Sequence, residues 1–176
     1  AAFAAGRLRV WQNVDRELAR LLAAVDLQRT AVVVVADHGM APIWGTLMPN
    51  VVLRQAGLLA LGADGRVDRR SLRAYATTAG AVAHIYLNLV GREPEGTVDP
   101  SQAGALLADI RERLLALRDD AGKPVVQRLL TRDEAAAIGM GHANAGDLIV
   151  WGAPGWAMSW EPTAETPMAS ARYYGQ

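Results

Sequence analysis

One segment constrains this chain more than any other: Thr30-Ala-Val-Val-Val-Val-Ala36, which runs straight into Asp37-His38-Gly39-Met40. Four consecutive valines do not alternate with polar residues, so the pattern is that of a strand buried on both faces, as in a parallel sheet covered by helices. Such a strand delivers a carboxylate and an imidazole side by side at its carboxyl end. In open α/β sheets, ligands and chemistry collect at that edge. Carboxylate and imidazole together suit a borderline divalent ion such as zinc, and Gly39 lets the backbone turn without crowding it. By residue chemistry alone, an ordinary polar strand end with a solvated Asp and a capping His fits the same four residues.

The surrounding pattern extends the α/β reading. Leu8, Trp11, Leu18, Leu21, Leu22 and Val25 recur at three- and four-residue spacings, predicting an amphipathic helix over residues 7–25 that feeds the valine strand. After Met40 periodicity is lost through Ala41–Pro49, which reads as a loop beside the active edge. Asn50 is placed to cap a short helix over 51–55 that stops at Gly57. Residues 66–73 read as a charged connector. Residues 81–89 predict a strand, 91–96 a turn-rich loop, and the segment opened by Ser101 a helix carrying Leu107, Ile110, Leu114 and Leu117. A strand over 124–130 follows, then a short helix over 132–138 capped by Thr131. Asp147–Trp151 predicts a further strand, with Gly155–Trp160 pairing back on it through the Gly152-Ala-Pro154 turn. The tail from Glu161 reads as irregular. The fold expected is α/β, a mainly parallel sheet flanked by helices, with a small strand–helix–strand lobe at about 81–138.

Composition removes several function classes. The 176 residues are 51% hydrophobic and 20% charged, a globular balance. Eighteen basic residues match eighteen acidic ones, so no basic excess favours a nucleic-acid polymer. With no cysteine, disulfides, thiolate metal sites and thiol nucleophiles are excluded, and any metal must be held by His and carboxylates. No apolar stretch is long enough to cross a bilayer, and no targeting segment opens the chain.

The order of these pieces resembles the alkaline-phosphatase superfamily, specifically its type I phosphodiesterase/nucleotide pyrophosphatase branch and the related phosphohydrolases and phosphomutases. The resemblance is carried by 13–22 (NVDRELARLL), by Val32–Val35 with Asp37-His38-Gly39-Met40, by 85–96 (IYLNLVGREPEG), by 119–126 (DDAGKPVV) and by 147–150 (DLIV). It implies a binuclear site, usually zinc, that hydrolyses phosphate esters or nucleotide-like small molecules with a Thr or Ser nucleophile. Asp37 and His38 match the Asp-His pair that ligates the ion holding the nucleophile. The family's nucleophile and earlier ligands match nothing here, and the final His normally follows a segment such as Tyr174-Gly175-Gln176. The expectation is therefore a carboxyl-terminal part of a catalytic domain. It would carry only two of the metal ligands, bind two divalent ions weakly or not at all by itself, and lack hydrolytic competence alone. A phosphomutase, a sulfatase-like enzyme, or a non-catalytic domain that has lost its ions are the alternatives.

The remaining candidates have plainer readings. His84 in an apolar strand reads as a core or edge residue, and His142 as a solvated loop residue able to approach a site. The glycines of 139–146 lack the Lys-Ser/Thr ending of a phosphate loop. Ser159 and Ser170 have no nucleophile-elbow context. Asp147 reads as a strand-start residue hydrogen-bonding backbone, and Arg92–Glu93 as a surface pair. Trp44, Trp151, Trp156 and Trp160 either fill a core or wall a cleft.

Overall fold

The computed structural model describes residues 2–175, with side chains described for 5–171. The chain divides into two compact units, Ala1–Asp37 and His38–Gln176.

The first unit is one helix, α1 (Ala2–Ala23), followed by turns and extended chain. The apolar spacing of its sequence does produce the helix. Its hydrophobic residues Leu8, Trp11, Val14 and Leu21 are all exposed. The valine run is not a strand. Residues 30–36 have no regular structure, and Val33, Val34 and Val35 are 78%, 78% and 82% exposed. A β-segment needs a neighbour for its N–H and C=O groups, and both sheets of this structure are built from residues after Met40.

The second unit carries two sheets. One is three-stranded, in the order β6 (Trp156–Met158), β1 (Ala41–Leu47), β7 (Met168–Gly175). The other is four-stranded, in the order β2 (Ala74–Ala79), β3 (Val82–Leu87), β5 (Leu148–Gly152), β4 (Val126–Thr131). Helices α2 (Pro49–Gln55), α3 (Ala103–Ala116) and α4 (Arg132–Ala136) flank them, and a 3₁₀ turn over Pro100–Gln102 leads into α3. The result is a mixed α/β fold with sheets and flanking helices.

The ladders differ from the mainly parallel sheet expected. Among the described strands β1 and β6 run parallel and the other strand pairs antiparallel; an isolated bridge between Leu89 and Val98 is also parallel. The hairpin β2–β3 explains part of this. Gly80 adopts φ +57° at the first of two turn residues, the Gly-X arrangement that reverses a chain in two steps. The valine segment, the one candidate for a doubly covered parallel strand, joins neither sheet.

Burial follows the pleat. On the inner face of the four-stranded sheet Ala83, Ile85, Leu87, Leu148 and Val150 pack with Ile110 and Leu114 of α3 and Leu53 of α2. On the outer face Ile149 and Leu130 meet Ala135 of α4 and Ala145, with Trp151 and Val82 at the margin. Strand β5 is therefore covered on both sides, which fixes the position of Asp147 just before it.

Several local expectations change. Residues 41–47 form β1 rather than a loop: Ile43, Gly45 and Leu47 face inward, but Pro42 and Gly45 obscure the alternation in the sequence. Asn50 lies inside α2, whose first turn is set by Pro49. Its amide is used elsewhere, accepting from Ala76 N–H at 2.7 Å and donating to the Ala76 and Trp160 carbonyls at 3.0 and 2.7 Å. A side chain thus closes the open edge of β2 in place of another strand. Ser101 does not cap α3. Asp99 accepts from the Ser101 N–H, and α3 starts from the 3₁₀ turn. Strand β6 pairs with β1, Gly45 opposite Trp156, rather than with the 147–151 strand. The tail is ordered as β7 because it lies antiparallel to β1, a partner the sequence reading had assigned to a loop. Thr131 caps α4 as expected, in a reciprocal capping box with Glu134.

Candidate functional site

Asp37 and His38 are exposed, Asp37 at a bend and His38 outside regular structure, where the first unit ends and the second begins. On the His38 ring, Nδ1 is 2.8 Å from the Gly39 carbonyl oxygen. A carbonyl only accepts, so Nδ1 is the donor, and in a neutral ring the lone pair then lies on Nε2. Metal-ligating histidines are commonly oriented in this way, through a hydrogen bond from the other ring nitrogen to backbone or carboxylate. The chemistry of the pair therefore fits two ligands of a divalent-ion site. Among the described residues, no group of three or more His, Asp or Glu side chains forms a metal cage. Gln176, the last residue of the segment that the family resemblance places ahead of a final His, lies outside the described residues.

The densest polar cluster is centred elsewhere, on Asp147. Its carboxylate is mostly buried and accepts from four groups. The Leu87 N–H donates to Oδ2 at 2.7 Å, and Arg92 donates from Nη1 to Oδ1 at 2.6 Å and from Nη2 to Oδ2 at 2.8 Å. Arg132 Nη2 donates to Oδ1 at 3.2 Å. Burial pushes the Asp147 carboxyl up, but the Arg92 hydrogen bonds, the Leu87 N–H and the two guanidinium charges outweigh it and hold the group below the usual Asp value. Arg92 is raised in turn, chiefly by its hydrogen bond to Asp147. So Arg92, read from sequence as half of a surface pair with Glu93, does bond Glu93 at 2.9 Å, but its main partner is Asp147. Two sequence-distant arginines on one carboxylate leave no local signature, and that is why the cluster is hard to see in the sequence. Asp147 itself behaves as expected, bonding backbone ahead of its strand.

The other candidates are placed plainly. His84 is half-buried on β3 and accepts the Gly146 N–H on Nδ1 at 3.0 Å; burial lowers its pKa. His142 is exposed, its Nδ1 accepting from the Asn144 N–H at 3.1 Å within its own loop. Trp156 is in the core, Trp151 lies at a margin under Arg128 (5.9 Å), and Trp44 and Trp160 are exposed.

A cleft of about 420 Å³ adjoins the Asp147 cluster, lined by Tyr75, Tyr86, Arg92, Arg132 and Asn144 among others. The rings of Tyr75 and Tyr86 stack with centroids 5.2 Å apart, and the Tyr86 hydroxyl donates to the Asn144 carbonyl at 2.9 Å. The cluster is a brace: it ties the 87–93 segment to the start of β5 and to α4.

The class that the fold defines is mixed α/β, two sheets with flanking helices. Residues 7–170 match the profile of the type I phosphodiesterase / nucleotide pyrophosphatase family, and the chain belongs to that family. No curated protein sequence matches it. Two solved structures are similar: phosphonoacetate hydrolase from Sinorhizobium meliloti 1021, in complex with phosphonoformate and with phosphonoacetate. Each is 21% identical, covering 74% of this chain and 28% of the hydrolase chain, with TM-scores of 0.44 and 0.43. The chain thus spans well under a third of the length of those relatives.

Proposed function

We propose that this chain is part of a metal-dependent phosphohydrolase that cleaves a phosphodiester, nucleotide pyrophosphate or phosphomonoester. Asp37 and His38 supply two ligands of a binuclear centre, with zinc as the ion, and a Thr or Ser nucleophile comes from residues outside this chain. The observation that carries the reading is the family match, which spans residues 7–170 and so includes Asp37-His38-Gly39-Met40. The hydrogen bond from His38 Nδ1 to the Gly39 carbonyl supports it, because a neutral ring that donates from Nδ1 has its lone pair on Nε2.

The chemistry a metal pair supplies when bound is charge neutralisation on the oxygens of an in-line displacement. The chain's own contribution is to hold an anionic oxygen donor and a neutral nitrogen donor on consecutive residues. An imidazole ligates only when unprotonated, so acid weakens the centre. The test is cleavage of bis(p-nitrophenyl) phosphate by the complete protein in zinc buffer. His38→Ala should lose at least about a hundredfold in rate, the scale on which metal-site disruptions fall; equal rates for the two proteins would refute the ligand role.

A further inference from the structure

The loop over residues 139–146 rests on the outer face of the four-stranded sheet through Ala145, which packs with Leu130, Ala135 and Ile149. An imidazole holds its last residue. The Gly146 N–H donates to His84 Nδ1 at 3.0 Å. An N–H only donates, so Nδ1 is unprotonated there and the neutral ring carries its proton on Nε2. Gly146 is buried and has little room to shift: a Cβ on it would lie 2.8 Å from the Leu148 carbonyl oxygen and 2.9 Å from Ile85 N.

Two further ties hold the loop. The Tyr86 hydroxyl donates to the Asn144 carbonyl at 2.9 Å, and Arg132 Nη2 donates to the Ala145 carbonyl at 2.6 Å. Of the side-chain types in these three ties, only imidazole ordinarily changes charge between pH 5 and 8. A second proton on His84 turns Nδ1 from acceptor to donor, set against another donor. A buried N–H that loses its acceptor is costly, so Gly146 must lift to reach water. His142 makes the same kind of bond inside the loop, Nδ1 accepting from the Asn144 N–H at 3.1 Å, but both residues are exposed and water replaces it.

The neighbouring charges are engaged elsewhere. Strand β2 sets Thr77 opposite His84 with Tyr75 further along, β5 sets Ile149 opposite it, and the Tyr86 ring lies at 6.3 Å. Asp147 is held by Arg92 and Arg132, and Glu93 by Arg92. On α4, beside Asp133, Glu134 accepts from the Thr131 N–H and from Arg111, and on β4 Arg128 lies over the Trp151 ring. Among the described residues none of these carboxylates pairs with His84.

We propose that His84 is a pH-operated latch: neutral, it keeps the 139–146 loop closed on the sheet, and protonated, it releases it. Ala143 and Asn144 of that loop line the cleft of about 420 Å³ beside Arg92 and Arg132, so acid opens the cleft. Burial lowers the His84 pKa while the loop is closed. A released ring returns toward the ordinary value of about 6.5, so proton uptake favours the open loop. The latch is independent of the phosphohydrolase reading and stands or falls separately.

The test is amide hydrogen exchange of the full chain at pH 7.5 and pH 5.5, read as protection factors so that the intrinsic pH dependence of exchange cancels. Gly146 should lose about tenfold in protection on acidification, the shift that one pH unit below the ordinary imidazole value drives. The amides of Ile149 and Val150 in β5 should keep theirs. His84→Asn puts a non-titrating carbonyl oxygen near the Nδ1 position, and should leave Gly146 protected at both pH values. In the wild type, the His84 ring nitrogens followed by long-range ¹H–¹⁵N spectra should titrate with the same midpoint as the Gly146 amide. Gly146 protection independent of pH, an equal loss at Ile149 and Val150, the full acid loss persisting in folded His84→Asn, or separate midpoints for ring and amide would each overturn the proposal.

Discussion

At the scale of single residues, Asp147 is the most consequential side chain the structure describes. The two arginines left behind are about one-third exposed and Arg92 keeps Glu93, so removing the carboxylate costs about 1–3 kcal/mol, the scale for lost hydrogen bonds to a charged group. Asp147→Ala should therefore destabilise the second unit by about that amount in urea titrations, and Asp147→Asn by less because an acceptor for Leu87 N–H remains. The folded state depresses the Asp147 pKa. Its stabilising contribution is thus complete above the ordinary Asp value of about 3.9 and is lost as pH falls below it toward the folded value. His84 titrates with the same sign but in a higher pH range. Burial lowers its folded pKa, so on acidification the unfolded chain takes up the proton first, near pH 6.5, and stability falls from there downward. The urea midpoint should drop between pH 7.5 and pH 5.5, and His84→Ala should flatten that dependence; an unchanged slope in the variant would remove His84 from the account. Among these residues the sequence disclosed Asp147's backbone role and the ordinary character of His84 and His142. It did not disclose Arg92 and Arg132 converging on one carboxylate, because their spacing of forty residues carries no periodic signal.

At the scale of elements, the contrast between α1, the valine segment and β1 shows where sequence patterns succeed and fail. Three- and four-residue spacing alone suffices for α1, since its hydrogen bonds are internal. A strand is completed only by a neighbour, so four valines with strong β-preference remain irregular and solvent-exposed. Conversely, β1 holds Pro42 and Gly45, poor strand residues, and forms because β6 and β7 lie on either side. The tail strand β7 was illegible for the same reason: its partner looked like a loop. The hairpin at Gly80 and the capping box at Thr131 depend on residues close together, and only the latter was recognised. An exposed run of β-branched residues is also a template for strand addition. Light scattering should show the chain self-associating as its concentration rises, and Val33→Lys with Val35→Lys should suppress this without shifting the melting temperature. Unchanged association in the double variant would show that the valines do not drive it.

At the scale of the whole molecule, the buried hydrophobic clusters found among the described residues lie after Met40. Family membership and the two-ligand count also predict the behaviour toward metal. Two donors leave an ion mostly hydrated, so calorimetry on this chain alone should show no zinc affinity tighter than about 10⁻⁴ M, on a scale where each tenfold is 1.4 kcal/mol.

The most direct measurement is the metal content of the complete protein after zinc loading and exhaustive dialysis, for wild type, Asp37→Asn and His38→Ala. The account predicts two zinc ions per wild-type chain and about one in each variant, because each substitution strips a donor from the same ion. Full zinc occupancy in both variants would contradict it.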